Sequence, residues 1–300
     1  MNLSVARSVQ TVAVHKPKSP LPWFGLSLGY TLTYGALLIF LPLAMLVLHA
    51  AKMSPAVFLH AVVAPRAVAA FQLSFSAALF AALANCVFGT ITAWVITRYT
   101  FWGRRILDAL VDLPFAIPTA VAGIALTAVW SATGFPGGIF NKIGVQTAYS
   151  RIGVFVAMVF VGLPFVVRNV QPVVEALDTR IEEAGKTLGA GPMTIFFRVT
   201  FRSLMPALIA GFSLSFARAL GEYGSIVFIS GNLPFKTEIA PLLIMTKLEQ
   251  YDYNGAVAIS LVMLAASFAI LFLVNSLHWR AQKKKRGPGH SPQQQKAGAS

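Results

Sequence analysis

The sequence contains few charged residues and almost no cysteine. Asp, Glu, Lys and Arg make up 11% of its 300 residues, whereas a typical soluble domain carries about 25%. Cys86 is the single cysteine, which excludes an internal disulfide and a cysteine-based metal site. The five histidines show no H-E-x-x-H spacing, and no G-x-x-x-x-G-K-S/T loop for nucleotide phosphates occurs. We therefore expect no catalytic residues, no metal site and no cofactor bound by this chain.

Long apolar segments dominate the sequence instead. Hydrophobic residues make up 56% of the chain, in blocks of about 20 or more, the length that crosses a bilayer as a helix. The pattern predicts an all-α integral membrane protein with about six transmembrane helices, in contact with the lipid bilayer. Their expected ranges are Gly25–Leu48, Ala69–Ile96, Leu110–Trp130, Gly153–Val170, Leu204–Phe228 and Gly255–Leu277.

The basic residues fall mostly on one side of these predicted spans. The net charge of +14 could suggest a nucleic-acid partner, but its distribution favours a topology signal. If the N-terminus is cytoplasmic, the outside segments hold few of the 24 Lys and Arg. Those outside positions are Lys52, Arg66, Lys142, Arg151, Lys236 and Lys247, and Arg218 lies inside a span. The positive-inside rule then places both termini in the cytoplasm. Because this topology accounts for the basic residues, we expect no nucleic-acid partner.

The order of the segments predicts one membrane domain with two tails. Residues 1–22 and 280–300 are polar and are expected to be cytoplasmic tails, the second strongly basic and the first disordered. Residues 23–66 are expected to form the first helix and its periplasmic connection. The membrane core follows at 67–279 and includes a cytoplasmic loop at 175–203. A further amphipathic helix is expected at the outer surface, where it either docks a partner or covers a pore mouth.

The cytoplasmic loop is polar and helix-forming although it lies between two spans. Thr179 and Glu182 fit a capping box at the start of a helix. Gly189 fits the residue that follows a helix C-terminus. Ala184 and Gly185 leave one side of the helix almost bare, so that another chain can approach its backbone. The same bare side also suits packing against the membrane domain, and the residues leave both interpretations open.

The loop resembles the coupling loop of ABC importer permeases, whose pattern is E-A-A-x3-G-x9-I-x-L-P. The matching residues are Glu183, Ala184, Gly185, Gly189 and the stretch VTFR at 199–202. Gly185 replaces the second Ala of the pattern, and Phe201-Arg202 replaces its Leu-Pro pair. In that family the loop forms a coupling helix seated in a groove of the ATP-hydrolysing subunit. The resemblance implies that role for Glu183, Ala184, Gly185 and Gly189.

Beyond the loop, about residues 20–280 resemble the T-type sulfate/thiosulfate permease subunits of bacterial ABC importers. This resemblance rests on LDALVDLPFAIPTAVAG at 107–123, LPFVVR at 163–168, RALGEYG at 218–224 and the stretch 235–259. It implies the type I permease fold in the bacterial inner membrane. The implied partners are a homologous W-type permease subunit, two copies of an ABC ATPase subunit that uses ATP and Mg, and a periplasmic sulfate/thiosulfate-binding protein. The alternatives are a molybdate or other tetrahedral-oxyanion permease and a secondary anion transporter.

Arg218 and Glu222 lie four residues apart in the predicted fifth span and share a helix face. Charges inside a membrane usually face a cavity or a partner. Arg218 can therefore contact an anion in a pore, or form with Glu222 an ion pair that holds the bundle or a subunit interface. The order Arg-then-Glu is the less favourable one within a helix, which suggests that Glu222 has a further partner. Backbone amides at helix breaks are equal candidates for contacting the anion. The expected breaks are near Pro114, Pro118, Gly221 and Gly224.

Asp108 and Asp112 are also four residues apart, at the cytoplasmic end of the predicted third span. A pair of carboxylates can perform acid–base chemistry. Beside Arg104 and Arg105, local charge balance at a helix entrance is the interpretation that we favour.

Overall fold

The computed structural model describes residues 23–285, apart from the side chains of Thr179, Asn275 and 277–285, and all regular structure in this part is helical. The helices are α1 Phe24–Lys52, α2 Pro55–Val63, α3 Pro65–Arg98, α4 Arg104–Val111, α5 Leu113–Ala116, α6 Thr119–Trp130, α7 Gly137–Lys142, α8 Arg151–Ala176, α9 Thr179–Thr187, α10 Pro192–Ile195, a π-helical segment Phe196–Thr200, α11 Phe201–Leu220, α12 Ile226–Ile229, α13 Ala240–Glu249 and α14 Tyr253–Lys285.

Five helical segments among the described residues are long and apolar enough to cross a membrane. They are α1, α3, α8, the stretch Pro192–Leu220 that ends with α11, and Tyr253–Val274 of α14. The all-α membrane class is therefore confirmed. α6 is apolar but has 12 residues, about 18 Å of helix, against a hydrocarbon core of about 30 Å.

The predicted third span, Leu110–Trp130, is wrong as a single helix. It is divided among α4, α5 and α6, with Asp112 between the first two. Ile117 before Pro118 is extended, with φ −93° and ψ 132°, because proline disfavours the helical conformation of the residue before it. The breaks expected at Pro114 and Pro118 are confirmed. The fourth span, which contains Pro164, is by contrast one unbroken helix.

The predicted fifth span, Leu204–Phe228, is also interrupted. α11 ends at Leu220, and five residues separate it from the short α12. The sixth span is longer than predicted, since α14 continues to Lys285 and so enters the segment expected as a basic tail. The rest of that segment, 286–300, and the expected tail 1–22 lie outside the described residues.

Three helices, α3, α8 and α11, form the centre of the membrane core. The buried side of α3 consists mainly of alanine, and small residues let membrane helices approach closely. Val166 of α8 sits where a Cβ on Gly89 of α3, or on Gly211 of α11, would be 2.9 Å from its atoms. Asn85 donates a hydrogen bond of 3.0 Å to Ser215 between α3 and α11. The three helices are thus locked by small residues and one buried polar contact.

The two membrane sides can be told apart by the loop between α8 and α11. α3 and α8 run in the same direction, and α11 runs in the opposite one. We call the side where α3 and α8 end the loop side, because α9, α10 and the π-helical segment lie between α8 and α11 in the chain. The opposite side is the far side.

The helix expected at the outer surface corresponds to α13. Its buried side carries Leu242 and Leu243, which belong to the apolar core. Glu238, just before it, is 2% exposed and takes a bidentate ion pair with Arg66 of α3, at 2.7 Å for both bonds. No local signal in the sequence marks a partner for Glu238 that lies 172 residues away. α13 is thus held firmly to the far side of the core.

The described residues divide into two compact units, with the boundary between His49 and Ala50. The first contains most of α1, a 29-residue apolar helix in which no residue is buried. A helix that is apolar all round needs lipid or another protein around it. The second unit contains all the features described below.

Candidate functional site

Two helix breaks meet inside the membrane core. α6 begins at Thr119, and residues 221–225 form the break that follows α11. A Cβ on Gly224 would overlap the hydroxyl of Thr119, and a Cβ on Gly123 would lie 2.5 Å from the carbonyl oxygen of Ser225. The two interrupted spans therefore pack directly on one another, and this contact requires glycine at both positions. We call this contact the break junction.

The predicted ion pair lies at the break junction. Nη1 of Arg218 is 2.5 Å from Oε2 of Glu222, and Oε1 of Glu222 accepts hydrogen bonds from the backbone N of Ser225 at 2.9 Å and its Oγ at 3.0 Å. The Glu222 side chain is 1% exposed, whereas 33% of the Arg218 side chain is accessible. Glu222 thus has the further partner that its position in the sequence suggested. Contact between Arg218 and an anion stays a prediction.

The break junction offers an anion weak contacts rather than a tight site. The guanidinium of Arg218 is already neutralised by Glu222. The N-cap residue of α6, Pro118, provides no side-chain hydrogen bond to the first backbone amides of the helix. A helix N-terminus favours negative charge. Together these groups can contact a passing anion without holding it strongly.

The helix α9 of the loop between α8 and α11 is capped at both ends, although not by the predicted residue at its start. Asp178, rather than Thr179, is the N-cap, and its side chain accepts a hydrogen bond of 2.9 Å from the backbone N of Arg180. Gly189 has φ +80°, a left-handed conformation that favours glycine. The amides of Gly189 and Ala190 donate to carbonyl oxygens two and three positions before the C-cap, which is the Schellman arrangement. The predicted role of Gly189 as the residue after the helix is confirmed.

The bare side of α9 has one part that packs within the protein and another part that is exposed and could contact another chain. A Cβ on Gly185 would be 3.1 Å from Ile195 of α10, so this part packs within the loop. Ala184 is exposed, as are Ile181 and Leu188, three residues before it and four after it. Leu188 is 87% exposed. These three side chains form an apolar stripe on one helix face, which we call the loop stripe. Glu183 is exposed beside it.

The return of the loop into the membrane is continuous helix. The residues that replace the Leu-Pro pair of the family pattern, Phe201 and Arg202, begin α11. The π-helical segment before them joins α10 to α11 without a break, and Pro206 lies inside α11. π-helical segments inside helices often mark functional sites. The end of the loop is thus joined without a break to the core helix α11.

Arg168 of α8 is a functional candidate that sequence reasoning missed. It donates two hydrogen bonds to the carboxylate of Asp112, at 2.9 and 2.6 Å, and one of 2.6 Å to Asp108. The expected charge balance of these two carboxylates is present, but the arginine that provides it comes from α8 rather than from the neighbouring Arg104 and Arg105. Arg168 also donates to the carbonyl oxygen of Asp108 and to Gln171. It therefore fixes the interrupted third span to α8 on the loop side.

The fold matches solved transporters. A bacterial ABC transporter involved in the import of the acidic polysaccharide alginate superposes with a TM-score of 0.70, at 17% identity, over 86% of this chain and 96% of its own. The bacterial alginate ABC transporter in complex with an alginate pentasaccharide-bound periplasmic protein gives a TM-score of 0.69, at 18% identity, over 87% and 96%. At such identity the likeness establishes the ABC permease fold and leaves the substrate open.

Sequence relatives cover nearly the whole chain. The sulfate transport system permease protein CysT of Salmonella typhimurium is 46% identical over 267 residues, which cover 89% of this chain and 96% of that protein. The protein of the same name from Escherichia coli gives the same values, and that from Synechocystis is 45% identical over 85% and 90%. The family model described as "Binding-protein-dependent transport system inner membrane component" matches residues 85–286. The chain therefore belongs to this family of multi-pass inner-membrane transport components, which are not enzymes.

Proposed function

We propose that this chain is the permease subunit of an ABC importer that moves sulfate or thiosulfate across the bacterial inner membrane. ATP hydrolysis takes place in a separate subunit. The observation that carries the proposal is the loop between α8 and α11, which is capped at both ends and presents the exposed loop stripe. The sulfate permeases that share 46% identity with the chain support the choice of substrate.

The loop side faces the cytoplasm in this proposal, because the predicted cytoplasmic segments hold most of the basic residues. The loop stripe, with Glu183, Ala184, Gly185 and Gly189 of the family motif, then seats in one of two ABC ATPase subunits. Ile181, Leu188 and Met193 supply exposed apolar area for that contact. Each ATPase uses ATP and Mg, neither of which this chain binds.

Two further partners complete the proposed importer. A homologous W-type permease subunit forms the other half of the pore. A periplasmic sulfate/thiosulfate-binding protein delivers the anion at the far side, where α13 and the Arg66–Glu238 pair form a firm surface. A transporter of the same fold has been solved in complex with a periplasmic protein, which supports a partner of this kind.

The geometry suggests how ATP binding reaches the anion path. When the ATPase subunits close, α9 moves with them, and its caps keep it from unwinding. The π-helical segment joins the loop to α11, whose far end forms the break junction with α6. Movement of α11 therefore changes the distance between the two breaks. A dianion meets neutralised charge and the first amides of α6 there, so its contact is brief and release into the cytoplasm is not hindered.

The proposal is tested by reconstituting the complete importer in proteoliposomes with sulfate-loaded binding protein and ATP. We expect ATP-dependent uptake of radiolabelled sulfate that excess thiosulfate inhibits and molybdate leaves nearly unchanged. Uptake blocked by molybdate but insensitive to thiosulfate would instead support a permease for a different oxyanion. Uptake driven by a proton or sodium gradient without ATP would support a secondary transporter.

A further inference from the structure

The loop-side end of α3 contacts the cytoplasmic loop through one arginine. Nη2 of Arg98 lies 3.3 Å from a carboxylate oxygen of Glu182 in α9 and 3.4 Å from the carbonyl oxygen of Leu177, which ends α8. The guanidinium carbon is 5.3 Å from the centre of the Trp94 ring, one turn earlier in α3. Trp94 in turn packs edge-to-face on Phe196 of the π-helical segment, with ring centres 6.2 Å apart. Arg98 and Trp94 therefore connect α3 to both ends of the loop.

These contacts differ from the other ion pairs of the described residues. Arg66–Glu238, Arg168–Asp108, Arg168–Asp112, Arg218–Glu222 and Lys247–Asp252 have distances between 2.5 and 2.8 Å. These are typical of strong charge-assisted hydrogen bonds. At 3.3 Å, the Arg98–Glu182 pair is longer and weaker. Nε of Arg98 is buried and has no hydrogen-bond partner among the described residues. The guanidinium thus has an unused donor at Nε, and both of its hydrogen-bond acceptors, Glu182 and the Leu177 carbonyl oxygen, are at long distances.

The three central helices are connected to the loop in different ways. The loop is continuous in the chain with α8 and α11, so those helices follow its movement directly. α3 is the third central helix and packs against both of them, but it precedes the loop by about 80 residues. Its link to α9 is the side-chain contact of Arg98. A guanidinium with an unused donor can tighten on Glu182, or exchange Glu182 for another acceptor, as α9 shifts.

We propose that Arg98 is a positioning residue that transmits the movement of the loop helix α9 to α3, through Glu182 on one side and Trp94 on the other. This inference rests on the proposed function and adds to it a specific transmission contact. It predicts that removing the contact leaves the ATPase bound and active, but that fewer cycles of ATP hydrolysis change the conformation of the membrane core. Transport per ATP hydrolysed should then fall.

The test compares four variants in the reconstituted importer: Arg98→Gln, Glu182→Gln, the double variant and the control Arg105→Gln. Arg105 is an exposed arginine in α4, on the same membrane side. The readout is the ratio of sulfate taken up to ATP hydrolysed, with sulfate-loaded binding protein. This ratio does not depend on how much complex assembles, so a purely structural loss cancels from it.

We expect each single variant to lower the ratio about tenfold, a usual size for coupling between sites, and the control to keep it. The double variant should lose no more than either single variant, because both changes remove the same contact. An unchanged ratio in Glu182→Gln, or losses that multiply in the double variant, would overturn the proposal. If Arg98→Gln does not assemble, Glu182→Gln alone decides. A wild-type importer without ATP-dependent uptake would instead overturn the proposed function itself.

Discussion

Single charged residues determine how the membrane core is held together. Glu222 and Glu238 are almost fully buried, and each is matched by an arginine that is about one third exposed. A buried carboxylate without its partner is strongly destabilising, whereas removing both partners can be nearly neutral. The arginines therefore stabilise the core by giving each buried carboxylate a hydrogen-bonded cationic partner. Arg218 at the break junction has two candidate roles, a structural pair with Glu222 and a direct contact with the anion.

Arg218→Gln leaves the Glu222 carboxylate with Ser225 as its remaining partner among the described residues. We expect a loss of about 1–3 kcal/mol in stability, measured as a lower unfolding temperature of the purified complex. The double variant with Glu222→Gln should recover most of this loss. Arg105→Gln, which is exposed, is the control.

Uptake by that double variant separates the two roles of Arg218. Assembly with normal uptake means that the pair is structural. Assembly without uptake means that the charge lines the anion path. A single variant as stable as wild type would contradict the structural account.

At the scale of elements, the proposed coupling to an ATPase rests on two features: the capped loop and the break junction. The loop helix α9 has nine residues, too few for a stable isolated helix in water. Its Asp178 cap and its Schellman turn at Gly189 therefore have a large share in keeping it helical. At the junction, glycine permits contact between two interrupted spans that larger residues would separate.

Replacing Gly189 with Val should uncouple ATP hydrolysis from transport. A β-branched residue is strained at φ +80°, by about 1–2 kcal/mol, so the end of α9 changes shape. The matched control is Gly191→Val, since Gly191 has φ −67° and open space around a Cβ. We expect sulfate uptake to fall at least fivefold in the first variant while ATP hydrolysis persists. Unchanged uptake would show that the turn does not matter for coupling.

Gly224→Ala tests the break junction. Its new methyl group would overlap the Thr119 hydroxyl, whereas a methyl on Gly221 would be 3.7 Å from its nearest neighbour. We expect Gly224→Ala to lower the unfolding temperature and the rate of sulfate uptake, at a cost of about 1–3 kcal/mol for an overpacked core. Gly221→Ala should change the unfolding temperature little. Equal behaviour of the two variants would mean that the breaks do not pack as described.

The sequence was informative about elements and much less so about their contacts. Apolar blocks of bilayer length predict helices reliably, and the turn at Gly189 follows from backbone geometry that favours glycine. The interruption of the third span near Pro114 and Pro118 could be predicted from the prolines, whereas its separation into α4 and α5 at Asp112 could not, because the apolar pattern continues on both sides of that residue. Asp178 and Thr179 are both good N-caps, so composition does not choose between them.

Contacts distant in the chain left no signal in the sequence. Arg168 lies 60 residues from Asp108, and Arg98 lies 84 residues from Glu182. Arg218 and Glu222 could be paired in advance because they are one helical turn apart. Periodicity within a helix is visible in a single sequence, whereas the packing of one helix on another is not.

The whole molecule has the properties of a subunit rather than of a complete transporter. Its sequence relatives are named as permease proteins of a transport system. The family to which it belongs works with a binding protein, as its description states. In our account the energy enters from an ATPase at the loop side and the anion enters from the far side. Neither process should occur in this chain alone.

The most direct test is sulfate uptake by proteoliposomes that contain the purified chain either alone or assembled with its W-type partner and the two ATPase subunits. Binding protein, sulfate and ATP are present in both samples. We predict uptake in the assembled sample and none above the protein-free background in the sample with the chain alone. Equal uptake by the chain alone, with no ATPase in the vesicles, would contradict the account.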